Sequence, residues 1–181
     1  MKLTIEEAKR IMAENNGDLP LSKRTDIDSL PEGLVVERDL IINRRKEPIE
    51  LPTGLVVGGR CSLYGSHGID HLPTGLKIVG PLYMNRTNIE EIPADAKIGS
   101  RIDASYSRLK KIPNGFNVYG DFILTGSEIE TIPEFLTVHG LLAIDYTKIT
   151  ELSLHIHAEK IAYEDSGVTA KNVELVLACP Y

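Results

Sequence analysis

Few residues in this chain are typed and spaced for chemistry. Three histidines come close together, His139, His155 and His157. Three imidazoles within about 5–7 Å of one another can hold zinc. His155 and His157 stand two apart on an extended segment, hence on one face. His139 follows Val138 as His157 follows Ile156, which predicts that these two stack. No cysteine or aspartate is placed as a fourth ligand, so plain surface histidines are the simpler reading, and no metal or other cofactor is expected. The thiols are Cys61 and Cys179. Cys61 takes a position that leucine fills elsewhere and should face a core, as small apolar cysteines do. Cys179 has no paired His–Asp pattern. Glu90-Glu91 and Lys110-Lys111 sit beside a proline corner, where side chains meet water; they are surface charges, not an acid–base dyad. No phosphate loop, dinucleotide fingerprint or nucleophile elbow occurs. No catalytic residue is assigned, and the chain is expected not to be an enzyme.

What positions these residues is a repeat. A Leu/Ile-Pro pair recurs at Leu30-Pro31, Leu51-Pro52, Leu72-Pro73, Ile92-Pro93, Ile112-Pro113 and Ile132-Pro133, and its apolar member returns at Leu152. The steps are 21, 21, 20, 20, 20 and 20 residues. Each unit then carries two apolar-x-apolar triplets, such as Leu55/Val57 with Cys61/Leu63, and Phe116/Val118 with Phe122/Leu124. Glycine lies between the triplets. A period-2 triplet is a short strand with one buried face. Two of them per 20 residues describe one coil of a solenoid. A single coil cannot bury its own apolar face, and stacked coils share one core. After Ile132 the triplets continue as Leu136/Val138 and Leu142/Ile144, and are then read at Leu154/Ile156 and Ile161/Tyr163.

The expected fold is a repeat solenoid of mostly short parallel strands, one domain over 1–181. Residues 1–16 form an N-terminal helical cap. Thr4-Ile5-Glu6-Glu7 is a capping box, and Ile5, Ala8, Ile11 and Met12 recur at helical spacing up to Asn15-Asn16-Gly17. Residues 17–168 make about eight coils of 20–21 residues. Residues 169–181 form a C-terminal strand or cap, with Val173–Leu177 read as a last strand.

The consensus L-P-x-G-L-x-V-x-G-x-L-x-L-x-x-T-x-I resembles the leucine-rich repeat family. The match is to its short, 20-residue bacterial and phage form, and it covers about residues 4–168. The usual asparagine ladder is mostly hydroxyl here, at Thr25, Thr87, Ser107, Ser127 and Thr147, and these are expected to bond a neighbouring coil's backbone. The resemblance implies a non-enzymatic protein–protein interaction scaffold that docks partners on its strand face. It further implies a role as a phage or bacterial inhibitor or effector directed at a host or defence protein.

Equivalent positions stack into columns. Outward in the second strand run Ile41, Ser62, Tyr83, Asp103 and Ile123, flanked by Arg60 and Arg101 on one side and Tyr64 on the other. Exposed Tyr, Arg and aliphatic residues are the composition of an interface centre. Ile41, Arg60, Tyr64, Tyr83, Arg101, Asp103 and Ile123 are therefore the candidate partner site, with the acidic ridge of Asp70, Glu90, Glu91, Glu130 and Glu151 as the other candidate surface. In the first strand the outward set is Val35, Val56, Lys77, Lys97, Asn117, Thr137 and His155, so Lys77 and Lys97 stand side by side.

Composition limits the partners. The 181 residues are 42% hydrophobic and 25% charged, which is globular and not disordered. Basic and acidic groups give 20 − 26 = −6 overall. By segment the net charge is 9 − 11 = −2 over 1–59, 8 − 5 = +3 over 60–120 and 3 − 10 = −7 over 121–181. An acidic chain with a sparse basic stripe argues against nucleic acid. Nucleic-acid or nucleotide binding through the basic central coils is the alternative function, with a self-assembling structural module as a further one. No apolar run suits a membrane span, and two cysteines make no disulfide framework. The opening Met1-Lys2-Leu3-Thr4-Ile5-Glu6-Glu7 turns acidic where a signal peptide would turn apolar, so a cytoplasmic setting is expected. The tail needs cover on both faces of its strand. A second copy would supply that as a homodimer through the C-terminal end, or the tail folds across the end itself. Leu82→Asp is expected to abolish the cooperative melting transition by burying an unpaired charge. Tyr83→Asp, one residue on, should leave it in place, as circular dichroism melts would show.

Overall fold

The computed structural model describes residues 1–178, so Cys179 lies outside the described residues. The order is α1 Ile5–Glu14, β1 Leu19–Pro20, β2 Val35–Val36, β3 Leu40–Ile41, β4 Val56–Val57, β5 Cys61–Ser62, β6 Lys77–Ile78 and β7 Leu82–Tyr83. It continues with β8 Lys97–Ile98, β9 Ile102–Asp103, β10 Asn117–Val118, β11 Phe122–Ile123, β12 Thr137–Ala143, β13 His157–Ala162 and α2 Ala170–Ala178. All pairing between named strands is parallel, and each strand pairs with its equivalent one coil away. The second strands form one ladder, β1-β3-β5-β7-β9-β11-β12, and the first strands form another, β2-β4-β6-β8. The two run together in β12 and β13, where a coil's two strands become one. The result is a parallel β-solenoid of about seven turns, against the eight expected. Among the described residues no helix is long and apolar enough to cross a membrane.

The core is the set of inward columns. Leu40, Cys61, Leu82, Ile102, Phe122 and Leu142 stack in register and are all buried. The repeated Pro-x-Gly-Leu makes the corner before the first strand. Leu34 donates its amide to the Pro31 carbonyl at 3.3 Å, and Leu55 to Pro52 at 3.2 Å. The glycines at 33, 54, 75 and 115 hold φ of 68–71° there, the left-handed position of a type II turn. At the next corner the reason for glycine is space: a Cβ on Gly58 would lie 2.2 Å from the Glu37 carbonyl oxygen.

The hydroxyl column corrects one expectation. Thr87, Ser107 and Thr147 are buried, but they donate to a carbonyl three residues back in their own coil, at 2.6, 2.6 and 2.7 Å. In this column, among the described residues, Ser66 alone reaches across, to Ile42 at 2.6 Å. Thr25 is exposed and Ser127 Oγ has no hydrogen-bond partner. In the first coils a buried arginine does the ladder's work. Arg45 donates to the carbonyls of Arg24 (2.6 Å) and Glu47 (3.1 Å) and to that of Ile27, while its amide bonds Ser66 Oγ at 3.0 Å. A guanidinium carries five donors in a fixed fork, so one side chain satisfies carbonyls from two coils.

Both ends are closed by helices. Thr4 Oγ1 accepts the Glu7 amide at 3.1 Å, and Ala8, Ile11 and Met12 are buried on the first coil. At the other end the strand expected at Val173–Leu177 is helix α2. Thr169 Oγ1 accepts the Asn172 amide at 3.2 Å, as an N-cap residue does. Val173 and Val176 are buried, three residues apart on one helical face. A short apolar run has no periodicity that separates strand from helix; the cap and the exposed last coil decide it. Asn172 completes the closure. Its Oδ1 accepts the Leu152 amide at 2.8 Å and its Nδ2 donates to the Leu152 carbonyl at 3.1 Å, replacing the backbone of an absent next coil. The argument for two-fold strand pairing through this end falls with the strand.

The register also moves near this end. Thr137 pairs with His157 and Val138 with Ala158, whereas Leu142 pairs with Ile161, so the step falls from 20 to 19 across an irregularity in β12. Ile156 and Ala158 are the buried pair in place of Leu154/Ile156, and Leu154 is exposed. His157, not His155, continues the outward column of the first strand.

Arg45→Ala would leave buried carbonyls unpaired and open a cavity. It is expected to destabilise the fold by about 3 kcal/mol, read from chemical denaturation midpoints.

Candidate functional site

The second-strand register brings the outward residues together as columns predict: Ile41, Ser62, Tyr83, Asp103 and Ile123 are successive neighbours. Their accessibility is lower than a free face requires. Ile41, Tyr83, Asp103 and Ile123 are half-buried and Ser62 is buried, its hydroxyl donating to Asn43 Oδ1 at 2.7 Å. Arg60 is exposed but held by Asp39, with Nη2 to Oδ2 at 2.9 Å and its amide to Oδ1 at 2.7 Å. Asp103 turns inward on its own coil, accepting from the amide and hydroxyl of Ser105 at 3.0 and 2.6 Å. Arg101 lies 5.8 Å over the Tyr83 ring, and its Nε is buried without a partner. Tyr64 is half-buried, with the Arg44 guanidinium 5.4 Å over its ring.

The more exposed surface lies one step further along the coil. The residue that turns the chain out of the second strand sits at Arg44, Gly65, Arg86, Tyr106, Gly126, Tyr146 and Asp165, all with positive φ between 50° and 66°. Two coils use glycine, the residue suited to this conformation. The others hold side chains there against an unfavourable backbone preference. Arg86 stands 5.3 Å over the Tyr106 ring. Tyr106 and Tyr146 are 56% and 53% exposed. The glycines are also seats: a Cβ on Gly126 would come within 2.6 Å of the Tyr106 ring, and one on Gly65 within 3.5 Å of Arg44 Cγ. The preceding coil's long side chain lies across each glycine. His67, Asn88, Arg108 and Glu128 flank this stripe and with it line an open groove. The sequence columns missed it because Arg44, Arg86, Tyr106 and Tyr146 share no residue type with their glycine equivalents. The signal was there as the alternation of glycine with Arg or Tyr at one consensus position. Tyr146 is pushed above the usual tyrosine range by the carboxylates of Glu164 and then Asp165.

The histidines do not converge. His139 stacks on Tyr119 with ring centroids 5.7 Å apart, and His155 stacks on Phe135 at 5.3 Å. The 20-residue register pairs Thr137 with His157 and Val138 with Ala158, so His139 and His157 are not equivalents. No group of three or more His, Cys, Asp or Glu among the described residues could hold a metal. Lys77 and Lys97 do stand side by side across a parallel pair, both exposed. On the acidic ridge, Glu90 binds Lys110 at 2.9 Å and Glu130 binds Lys148 at 3.1 Å. That ridge is therefore partly neutralised.

Cys61 is buried, and burial pushes its thiol up to about 12. No protein family, curated protein or solved structure matches the chain. In a Cys179→Ser variant, Cys61 is expected to resist alkylation in the native state through about pH 10. It should react readily once the chain is unfolded, because the thiolate is the nucleophile and a buried thiol stays protonated. Mass spectrometry of iodoacetamide-treated protein checks this.

Proposed function

We propose that the protein is a non-enzymatic scaffold that recognises another protein through the Arg/Tyr stripe of its left-handed corner, together with Tyr64, Tyr83 and Arg101 beside it. The observation that carries this reading is backbone conformation. Arg44, Arg86, Tyr106 and Tyr146 occupy a position where glycine serves at two coils of the same solenoid. Non-glycine residues in such regions cost of order 1 kcal/mol each and persist where the side chain has a use. Tyrosine and arginine are the side chains that dominate binding energy at interfaces. A stacked array also holds them in place before a partner arrives, so little ordering entropy is lost on docking. The likeness of the repeat to short leucine-rich repeats of bacteria and phages supports a host- or defence-directed partner. The cysteine usage supports a cytoplasmic setting.

Single-stranded nucleic acid is the second reading. The alternation of guanidinium and tyrosine along the stripe favours it, since bases stack on such platforms. The net charge of −6 opposes it.

The double variant Arg86→Gly/Tyr106→Gly is expected to melt at or above the wild-type temperature, because both changes relieve backbone strain. It should weaken the partner complex by about 2 kcal/mol or more. Calorimetry with a partner captured from the native host and purified gives both numbers. Undiminished binding would move the site off the stripe. A log–log salt slope near −0.7 per phosphate contact would instead assign nucleic acid.

A further inference from the structure

The first-strand ladder is broken at one place. β8 (Lys97–Ile98) pairs with β6, and β10 (Asn117–Val118) pairs with β12, but β8 and β10 are not paired. Among the described residues no backbone hydrogen bond joins 96–99 to 116–119. Elsewhere these bonds recur at every step, as from Lys97 to Leu76 and from Thr137 to Phe116, both 2.9 Å. The residues of this coil explain the gap. Its corner reads Pro93-Ala94-Asp95-Ala96, with aspartate where glycine takes the left-handed position in most other coils, and Asp95 reaches backward to accept the Gly75 amide at 2.8 Å. Ala96 stands where other coils place Leu, and the next coil answers with Phe116. Ala96 and Phe116 keep 8% and 6% exposure, whereas Leu55, Leu76 and Leu136 of the same column keep none.

A cleft of about 510 Å³ opens there, a volume in the range of small-ligand sites. Ala96, Ile98, Gly99 and Phe116 line it. Val79 and Tyr119, 67% and 62% exposed, stand on its two sides. Lys77 and Lys97 also line it, and neither is paired with a carboxylate among the described residues. The amides of Asn117 and Tyr119 likewise make no backbone bond. Apolar walls, two adjacent free ammonium groups and two free amide donors thus meet in one cleft. It lies within the 60–120 segment of net charge +3, between segments of −2 and −7. Such a field concentrates anions at the middle of the molecule.

We propose that this cleft binds a small amphiphilic anion. Its apolar body of roughly ten carbons lies against Ala96, Phe116, Val79 and Tyr119, and its carboxylate or phosphate head meets Lys77 and Lys97. The site is separate from the Arg/Tyr stripe, and neither reading requires the other.

Isothermal titration with decanoate and with decyl phosphate tests it, with decanol and decyltrimethylammonium as headless and cationic controls. Both anions should bind with Kd of order 100 μM at one site, and neither control should match them. Tighter decyl phosphate would assign the phosphate head, and tighter decanoate the carboxylate. Ala96→Leu restores the consensus residue and should abolish binding. Lys77→Glu/Lys97→Glu changes only exposed side chains, should leave the melting temperature in place, and should weaken both anions tenfold or more. No binding of either anion at millimolar concentration would overturn the proposal. So would binding that survives both variants, or equal binding of decanol.

Discussion

No coil of this chain can bury its own leucines, and everything else in the structure follows from that. A unit of 20 residues has two strands of two residues each and one apolar face. It gains a core only when an identical face stacks on it about 4.8 Å away. Stacking demands that equivalent residues fall in register at each step. The columns of Leu40, Cys61, Leu82, Ile102, Phe122 and Leu142 show that they do. The same demand sets the corners. A side chain at Gly58 would meet the backbone of the coil before it, and each Pro-x-Gly corner needs a left-handed residue to bring the chain round.

Departures from the repeat are informative because the repeat is so constrained. Where Arg or Tyr replaces glycine at the left-handed corner, the backbone preference is violated and an exposed side chain is gained. Where Ala96 and Asp95 replace leucine and glycine, ladder bonds are lost and a cleft appears. Both departures leave the neighbouring ladder intact: the second strands still pair from β9 to β11 beside the cleft. A solenoid tolerates such changes because each coil has two ladders and needs only one to hold its neighbour.

The open ends pose the opposite problem, since the core and backbone of a terminal coil have no neighbour. The solutions differ in chemistry. At the first coil an amphipathic helix supplies apolar cover, and Arg24, itself held by Asp26 at 3.0 Å, ties it down through Glu7 at 3.0 Å. Arg45 satisfies carbonyls of the early coils. At the last coil a helix again supplies cover, and the Asn172 amide replaces a strand's hydrogen bonds. Each device meets one need, apolar cover or polar satisfaction, that an additional coil would have met at once.

The sequence by itself determined the solenoid, the inward columns, the burial of Cys61 and the N-terminal helix. All of these rest on periodicity and local capping, which a linear chain displays directly. The tertiary structure decided the rest. Val173–Leu177 is helix because the last coil offers one apolar end to cover, and that end exists only after folding. The histidines part because the coils keep the 20-residue step here, which sets His157 beside Thr137 and not beside His139. Arg45 is buried because carbonyls of two coils converge on it, and Thr25 is left in solvent. The half-burial of Ile41, Tyr83 and Ile123, the Arg/Tyr stripe and the cleft at Ala96 all depend on how adjacent coils meet. That relation joins residues 20 apart, and local pattern carries no information on how closely two coils approach.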